Sequence, residues 1–108
     1  MIPKMKFIIF PNLPEARRWF DRTTVELKKY LGVKFKNIKF EIYKKEIIIN
    51  ELNLILRFET QLYYHKYGWE YCDHALFCFD GEWDFENDFQ KCLEEIIFTD
   101  NKTHKYQF

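Results

Sequence analysis

The sequence predicts an α+β fold: an antiparallel sheet of about four strands, ordered β-α-β-β-β-α with a possible last strand, covered on one face by two helices. Three observations lead there. Residues 15–31 and 85–97 repeat apolar side chains at helical spacing. The stretches outside them change to a period of two or to short β-branched runs. The chain has 108 residues, 47% apolar and 20% aromatic, which is enough to bury one core and reads as a single domain over residues 1–108.

Residues 5–10 read as a short buried strand, ended by the turn Pro11-Asn12-Leu13-Pro14, with Pro14 opening a helix. Ala16, Trp19, Phe20, Thr23, Leu27, Tyr30 and Leu31 then fall on one helical stripe, and Gly32 caps its end. From Val33 the period becomes two, placing Ile38, Phe40 and Ile42 inward and Lys39, Glu41 and Tyr43 outward. Lys44-Lys45 marks a turn and Ile47-Ile48-Ile49 a strand. Leu52, Leu54, Leu56 and Phe58 share the next strand face with Leu62 and Tyr64; a helix over residues 46–58 is the alternative for such an apolar run. After Gly68, residues 69–80 alternate with Trp69, Tyr71, Ala75, Phe77 and Phe79 on one face, and Asp80-Gly81 is a turn. Asp84 is an N-cap for a helix with Phe85, Phe89, Cys92, Leu93, Ile96 and Ile97 on its apolar side. Residues 100–108 form a last strand or a tail. Short links between neighbouring strands imply antiparallel pairing.

Charge is segregated along the chain. The formal net charge is zero, but residues 1–50 hold twelve Lys and Arg against five Asp and Glu, a net of +7, and residues 51–108 mirror it at −7. Such asymmetry points to a charged partner. The basic set is Arg17, Arg18, Arg22, Lys28 and Lys29 on the polar side of the first helix, broken mainly by Asp21, followed by Lys34, Lys36 and Lys39 and by Lys44 and Lys45. Phosphates of RNA or DNA would neutralise it with strong salt dependence; the plainer reading is a solvated helix face. The acidic set is Glu86, Asp88, Glu94 and Glu95 on the last helix. It suits a basic protein surface or mimics phosphate, and otherwise serves solubility.

Five large rings lie within nine residues: Tyr63, Tyr64, Tyr67, Trp69 and Tyr71. Such rings anchor protein interfaces and stack on bases. No aromatic-glycine ribonucleoprotein motif is present, since glycine occurs only at 32, 68 and 81. Core packing accounts for some of the rings, but five are too many to bury together.

Metal and catalytic readings are weaker. Cys72, His74 and Cys78, with His65 nearby, follow no zinc-ligand spacing, and an extended strand would hold residues 72 and 78 about 20 Å apart. No metal or other cofactor is expected. His65, His74 and His104 could act as acid and base with Lys66 or Lys105 on a phosphate, as in a metal-independent ribonuclease, and Cys72 or Cys78 with His74 could form a nucleophile pair. No nucleophile elbow, phosphate loop, dinucleotide fingerprint or metalloprotease helix occurs. A non-catalytic protein is therefore expected. Three cysteines at irregular spacing indicate free thiols and a reducing, cytoplasmic setting. No apolar run is long enough for a membrane span.

In size, residue usage, aromatic content and segregated charge the chain resembles the small inhibitors of phages and mobile elements, of the anti-CRISPR and immunity-protein kind. The resemblance rests on this profile over the whole chain and carries over no functional residue. It implies stoichiometric inhibition of a bacterial nuclease or guide-RNA effector complex, by occlusion or by interference with RNA binding. The expected partner is a larger protein or protein–RNA complex, with possible RNA contact, no membrane, and a monomeric or weakly dimeric state. The alternatives are a direct RNA/DNA-binding protein working through the basic half and a small ribonuclease-like enzyme.

Overall fold

The fold was taken from a computed structural model, which describes residues 2–30, 37–79, 90–98 and 103–107. It is α+β, but the sheet is mixed and larger than the antiparallel one expected. The strands are β1 (Lys4–Phe10), β2 (Ile38–Glu41), β3 (Glu46–Ile49), β4 (Leu54–Thr60), β5 (His74–Phe79) and β6 (Thr103–Gln107). They lie in the order β2-β3-β4-β1-β5-β6. Among the described residues only β2, β3 and β4 form an antiparallel meander. β1 pairs in parallel with both β4 and β5, and β6 pairs in parallel with β5. Of the two readings for the last residues, strand or tail, the strand is present as β6.

The long helix α1 (Leu13–Tyr30) follows β1. Asn12 caps it: its side-chain Oδ1 accepts the Glu15 N–H at 2.9 Å, which supplies an acceptor to one of the helix's unpartnered donors. The helix therefore begins at Leu13, one residue before the predicted Pro14. A second helical segment, α2, was not expected. It is an α-turn (Gln61–Tyr63) that widens into a π-helical turn (Tyr64–Gly68). Thr60 caps it, its hydroxyl accepting the Tyr63 N–H at 3.1 Å. The last helix, α3 (Gln90–Phe98), falls on the predicted one and ends one residue beyond it. The Asp84 cap, Gly32, the Asp80-Gly81 turn and the residue 85–89 part of that helix fall outside the described residues.

Strand alternation gives the sheet two faces, and both are covered. On the first, Ile8, Phe10, Leu54, Leu56, Phe58, Leu76 and Cys78 meet Ala16, Trp19, Phe20 and Leu27 of α1 and Leu93, Ile96 and Ile97 of α3 in one buried cluster. On the second, Phe7, Ile9, Ala75 and Phe77 are buried beneath Tyr63, Tyr64 and Cys72 of α2 and the turn after it. Two helices do cover one face, as the apolar stripes imply, while α2 closes the other. Every residue from Phe7 to Phe10 is buried because β1 lies between two layers.

Three local expectations fail for identifiable reasons. Ile42 leaves the strand for a four-residue hairpin loop that ends on left-handed Lys45 (φ 55°), so it is exposed rather than inward. Leu62 and Tyr64 do not extend β4, because Thr60 turns the chain into α2. The strand expected from Trp69 starts only at His74, leaving Trp69 and Tyr71 in a turn.

Candidate binding surface on the second face of the sheet

The candidate surface is built on β4 and α2. In β4, Leu54, Leu56 and Phe58 face the first layer, so Arg57 and Glu59 must face the second. There the Arg57 guanidinium joins the sheet to α2. Its Nε lies 3.2 Å from Glu59 Oε1 and 3.7 Å from Glu46 Oε2, across from it on β3. Its Nη1 donates to the hydroxyls of Tyr71 at 3.2 Å and Tyr63 at 3.4 Å, and the cation sits 5.2 Å from the Tyr63 ring centre. The two hydroxyls also bond to each other.

Electrostatics follow from this burial. Burial works against the Arg57 charge, but Glu59, the two tyrosines and Glu46 more than offset it and raise its pKa. Burial pushes the Glu59 carboxyl above its ordinary value, although Lys45 and Arg57 pull it down. Tyr71 is pushed up to about 12 by burial and by its hydrogen bond with Tyr63. Arg57 is thereby held charged and Tyr71 neutral, whereas the burial of Glu59 works against its charge.

The five predicted rings divide into two groups. Tyr63 and Tyr64 are half-buried and pack on the sheet: Tyr64 meets Phe77 edge-on at 5.1 Å between ring centres, and both lie 6.4 Å from Phe7. Gly68 lets the backbone come down on Phe7, where a Cβ would stand only 2.5 Å from the ring edge. Tyr67, Trp69 and Tyr71 are 62%, 57% and 43% exposed, and Leu62 of the same segment is 65% exposed. Tyr67 leans on Tyr63 at 5.5 Å, and Tyr71 meets Phe7 edge-on at 5.6 Å. Asp73 fixes the end of this segment to β1, its N–H bonding the Met5 carbonyl and its carboxylate accepting the Met5 N–H, both at 2.8 Å. The result is an exposed aromatic shelf on a fixed backbone.

The arginines of α1 lie on the far side of the sheet, because α1 packs on the first face. Arg17 is half-buried and donates to the Ile42 carbonyl at 2.8 Å, which ties α1 to the hairpin loop. Arg18 and Arg22 are exposed, each stacked over Trp19 at 5.2 and 5.4 Å, and Arg18 lies 3.6 Å from Glu15. Lys39 is exposed on β2. Lys34 and Lys36 fall outside the described residues, as do the side chains of Lys28 and Lys29. In the acidic set, Glu94 is exposed and Glu95 half-exposed on α3, while Glu86 and Asp88 lie outside the described residues. The basic helix and the aromatic shelf therefore do not share a surface.

The cysteine and histidine candidates are also separated. Cys72 packs on the second face and Cys78 on the first, and no group of three or more metal-ligating side chains converges among the described residues. The Cys72 thiol donates to the His74 carbonyl at 2.9 Å rather than to its ring, and burial pushes its pKa to about 11, the reverse of activation. His74 is buried in register with Lys6, whereas His65 is exposed on α2. The side chains of His104 and Lys105 are outside the described set.

Sequence reasoning missed Arg57, Glu46 and Glu59. The available signal was two charges at alternate positions of an otherwise apolar strand, which marks a buried polar tie on its second face. No helix among the described residues is long and apolar enough to cross a membrane. No protein-family model, curated protein or solved structure matches the chain.

Proposed function

We propose that this chain is a non-catalytic binding protein that docks on a larger protein, alone or within a protein–RNA complex, through Leu62, Tyr67, Trp69 and Tyr71. The observation that carries this reading is the exposure of four large side chains on a segment that Gly68 seats on Phe7, Asp73 ties to Met5 and Arg57 holds at the Tyr71 hydroxyl. Rings held in place before binding lose little freedom on contact, and Tyr and Trp are the residues that most often dominate interface energy. The same rings could stack on bases, but residues 61–73 carry one Lys against two acids, Glu70 and Asp73, which disfavours a phosphate backbone. Together with the resemblance to small inhibitors, this makes stoichiometric inhibition of a bacterial nuclease or guide-RNA effector complex the activity to assay.

The test is affinity capture from bacterial lysate, with and without nuclease, using the parent chain and a Tyr67→Ala/Trp69→Ala variant of unchanged melting temperature. A protein captured at one-to-one stoichiometry, resistant to nuclease and lost with the variant, is expected. Nucleic acid alone in the parent capture, or protein capture unaffected by the variant, would overturn the reading. Direct nucleic-acid binding through α1 is the second reading. It rests on the exposed Arg18 and Arg22 stacked over Trp19 and requires Arg18→Glu/Arg22→Glu to abolish binding.

A further inference from the structure

The edge strand β2 offers a second surface, and its sequence is complementary to itself. β2 is the outermost strand on its side of the sheet. The Asn50 N–H bonds the Asn37 carbonyl at 3.2 Å, so residues 37, 39 and 41 turn their backbone groups towards β3. Ladder alternation then turns those of Ile38 and Phe40 outward. Lys39 and Glu41 are exposed on the second face, two positions apart and opposite in charge, with no ion-pair partner for either among the described residues. Just beyond the strand, Ile42 and Tyr43 are 65% and 87% exposed.

We propose that β2 pairs antiparallel with β2 of a second copy, about a two-fold axis at Phe40. That register sets Lys39 opposite Glu41 of the partner copy twice over. Centring the pair on Lys39 would instead place two lysines face to face, so charge selects the Phe40 register. A lone edge lysine is a common device for keeping strands apart; here the charge two residues on has the opposite sign, and the pattern attracts its own copy. The two-fold axis runs perpendicular to the continuous sheet, so both aromatic shelves face the same way, roughly 30 Å apart at about 4.8 Å per strand. The assembly is isologous and closed.

Sedimentation equilibrium of five samples tests this: the parent, Lys39→Glu, Glu41→Lys, the double swap, and an equimolar mixture of the two single variants. The parent should dimerise with an affinity that falls as salt rises. Each single reversal should weaken the dimer by roughly tenfold or more, since two attractive cross-strand pairs become repulsive. The double swap should restore the homodimer, and the mixture should form a heterodimer. All substitutions are at exposed positions, and equal melting temperatures at low concentration control for folding. A parent that is monomeric at every concentration reached, single variants as dimeric as the parent, or a double swap that fails to recover would each overturn the proposal.

Discussion

Replacing Arg57 with Met removes the charge while keeping most of the side-chain volume, and the structure sets the consequence. Glu46 and Glu59, both buried, lose the cation 3.7 and 3.2 Å away, and the hydroxyls of Tyr63 and Tyr71 lose their shared donor. Removing one partner of a buried ion pair costs about 3–5 kcal/mol, because the remaining charge stays desolvated. At about 4 °C per kcal/mol for a domain of this size, the melting temperature at pH 7 should fall by about 12–20 °C. The pH dependence gives a sharper check. The Glu59 carboxyl is already raised by burial, and loss of Arg57 raises it further. A carboxyl raised in the folded state contributes its stability in full below the unfolded value, near about 4.3, and loses it as pH climbs through the folded value. The deficit of the variant should therefore be largest at pH 7 and shrink towards pH 5, and a second change, Glu59→Gln, should recover part of it at pH 7. Thermal unfolding followed by circular dichroism at both pH values measures this. A variant melting within about 4 °C of the parent at pH 7, or a deficit of equal size at pH 5, would refute the claim that Arg57 holds two buried carboxylates.

Lys6 is buried in the first face and its Nζ donates to the Ile96 and Ile97 carbonyls at 2.7 and 3.2 Å, capping the negative end of α3; Lys6→Met should cost about 2 kcal/mol, read as a lower urea midpoint at unchanged slope. Gly68→Ala should destabilise by about 1–3 kcal/mol through the Phe7 ring, and Phe7→Leu in the same chain should cost less than it does beside Gly68. In a spectrophotometric alkaline titration, one tyrosine should ionise at about 12, and Tyr71→Phe should remove that step; a titration with every tyrosine near pH 10 would contradict the Tyr63–Tyr71 hydrogen bond.

The elements that read well from sequence are those with one periodicity along their length. α1 shows a helical stripe with an Asn cap, and β3 is a β-branched run between turn residues. The parallel centre of the sheet was harder, because pairing partners are set by tertiary layers and not by link length. Its trace lay in composition: Phe7 to Phe10 and Ala75 to Phe79 are apolar at successive positions, the mark of strands covered on both faces, whereas an antiparallel strand with one wet face alternates. α2 left no periodic signal at all. Its eight residues hold three tyrosines and a glycine, and it forms because Thr60 can cap it and Gly68 can meet Phe7. The ring cluster was legible as a set, but which rings face out depends on the π-helical widening at Tyr64–Gly68, which no sequence pattern encodes.

The position of β1 bears on how the chain reaches this structure. β1 precedes every other strand in sequence yet lies between β4 and β5, pairing Lys4 with Leu54 and Lys6 with His74. A nascent chain on the ribosome therefore exposes the Phe7-Ile8-Ile9-Phe10 segment long before either neighbour has been synthesised. The antiparallel β2–β3–β4 meander closes over short loops and can assemble on its own, while the parallel centre must wait for high contact-order closure. Until Phe77 emerges, this apolar segment has an unpaired edge, and this interval is when nascent-chain association or chaperone capture would act.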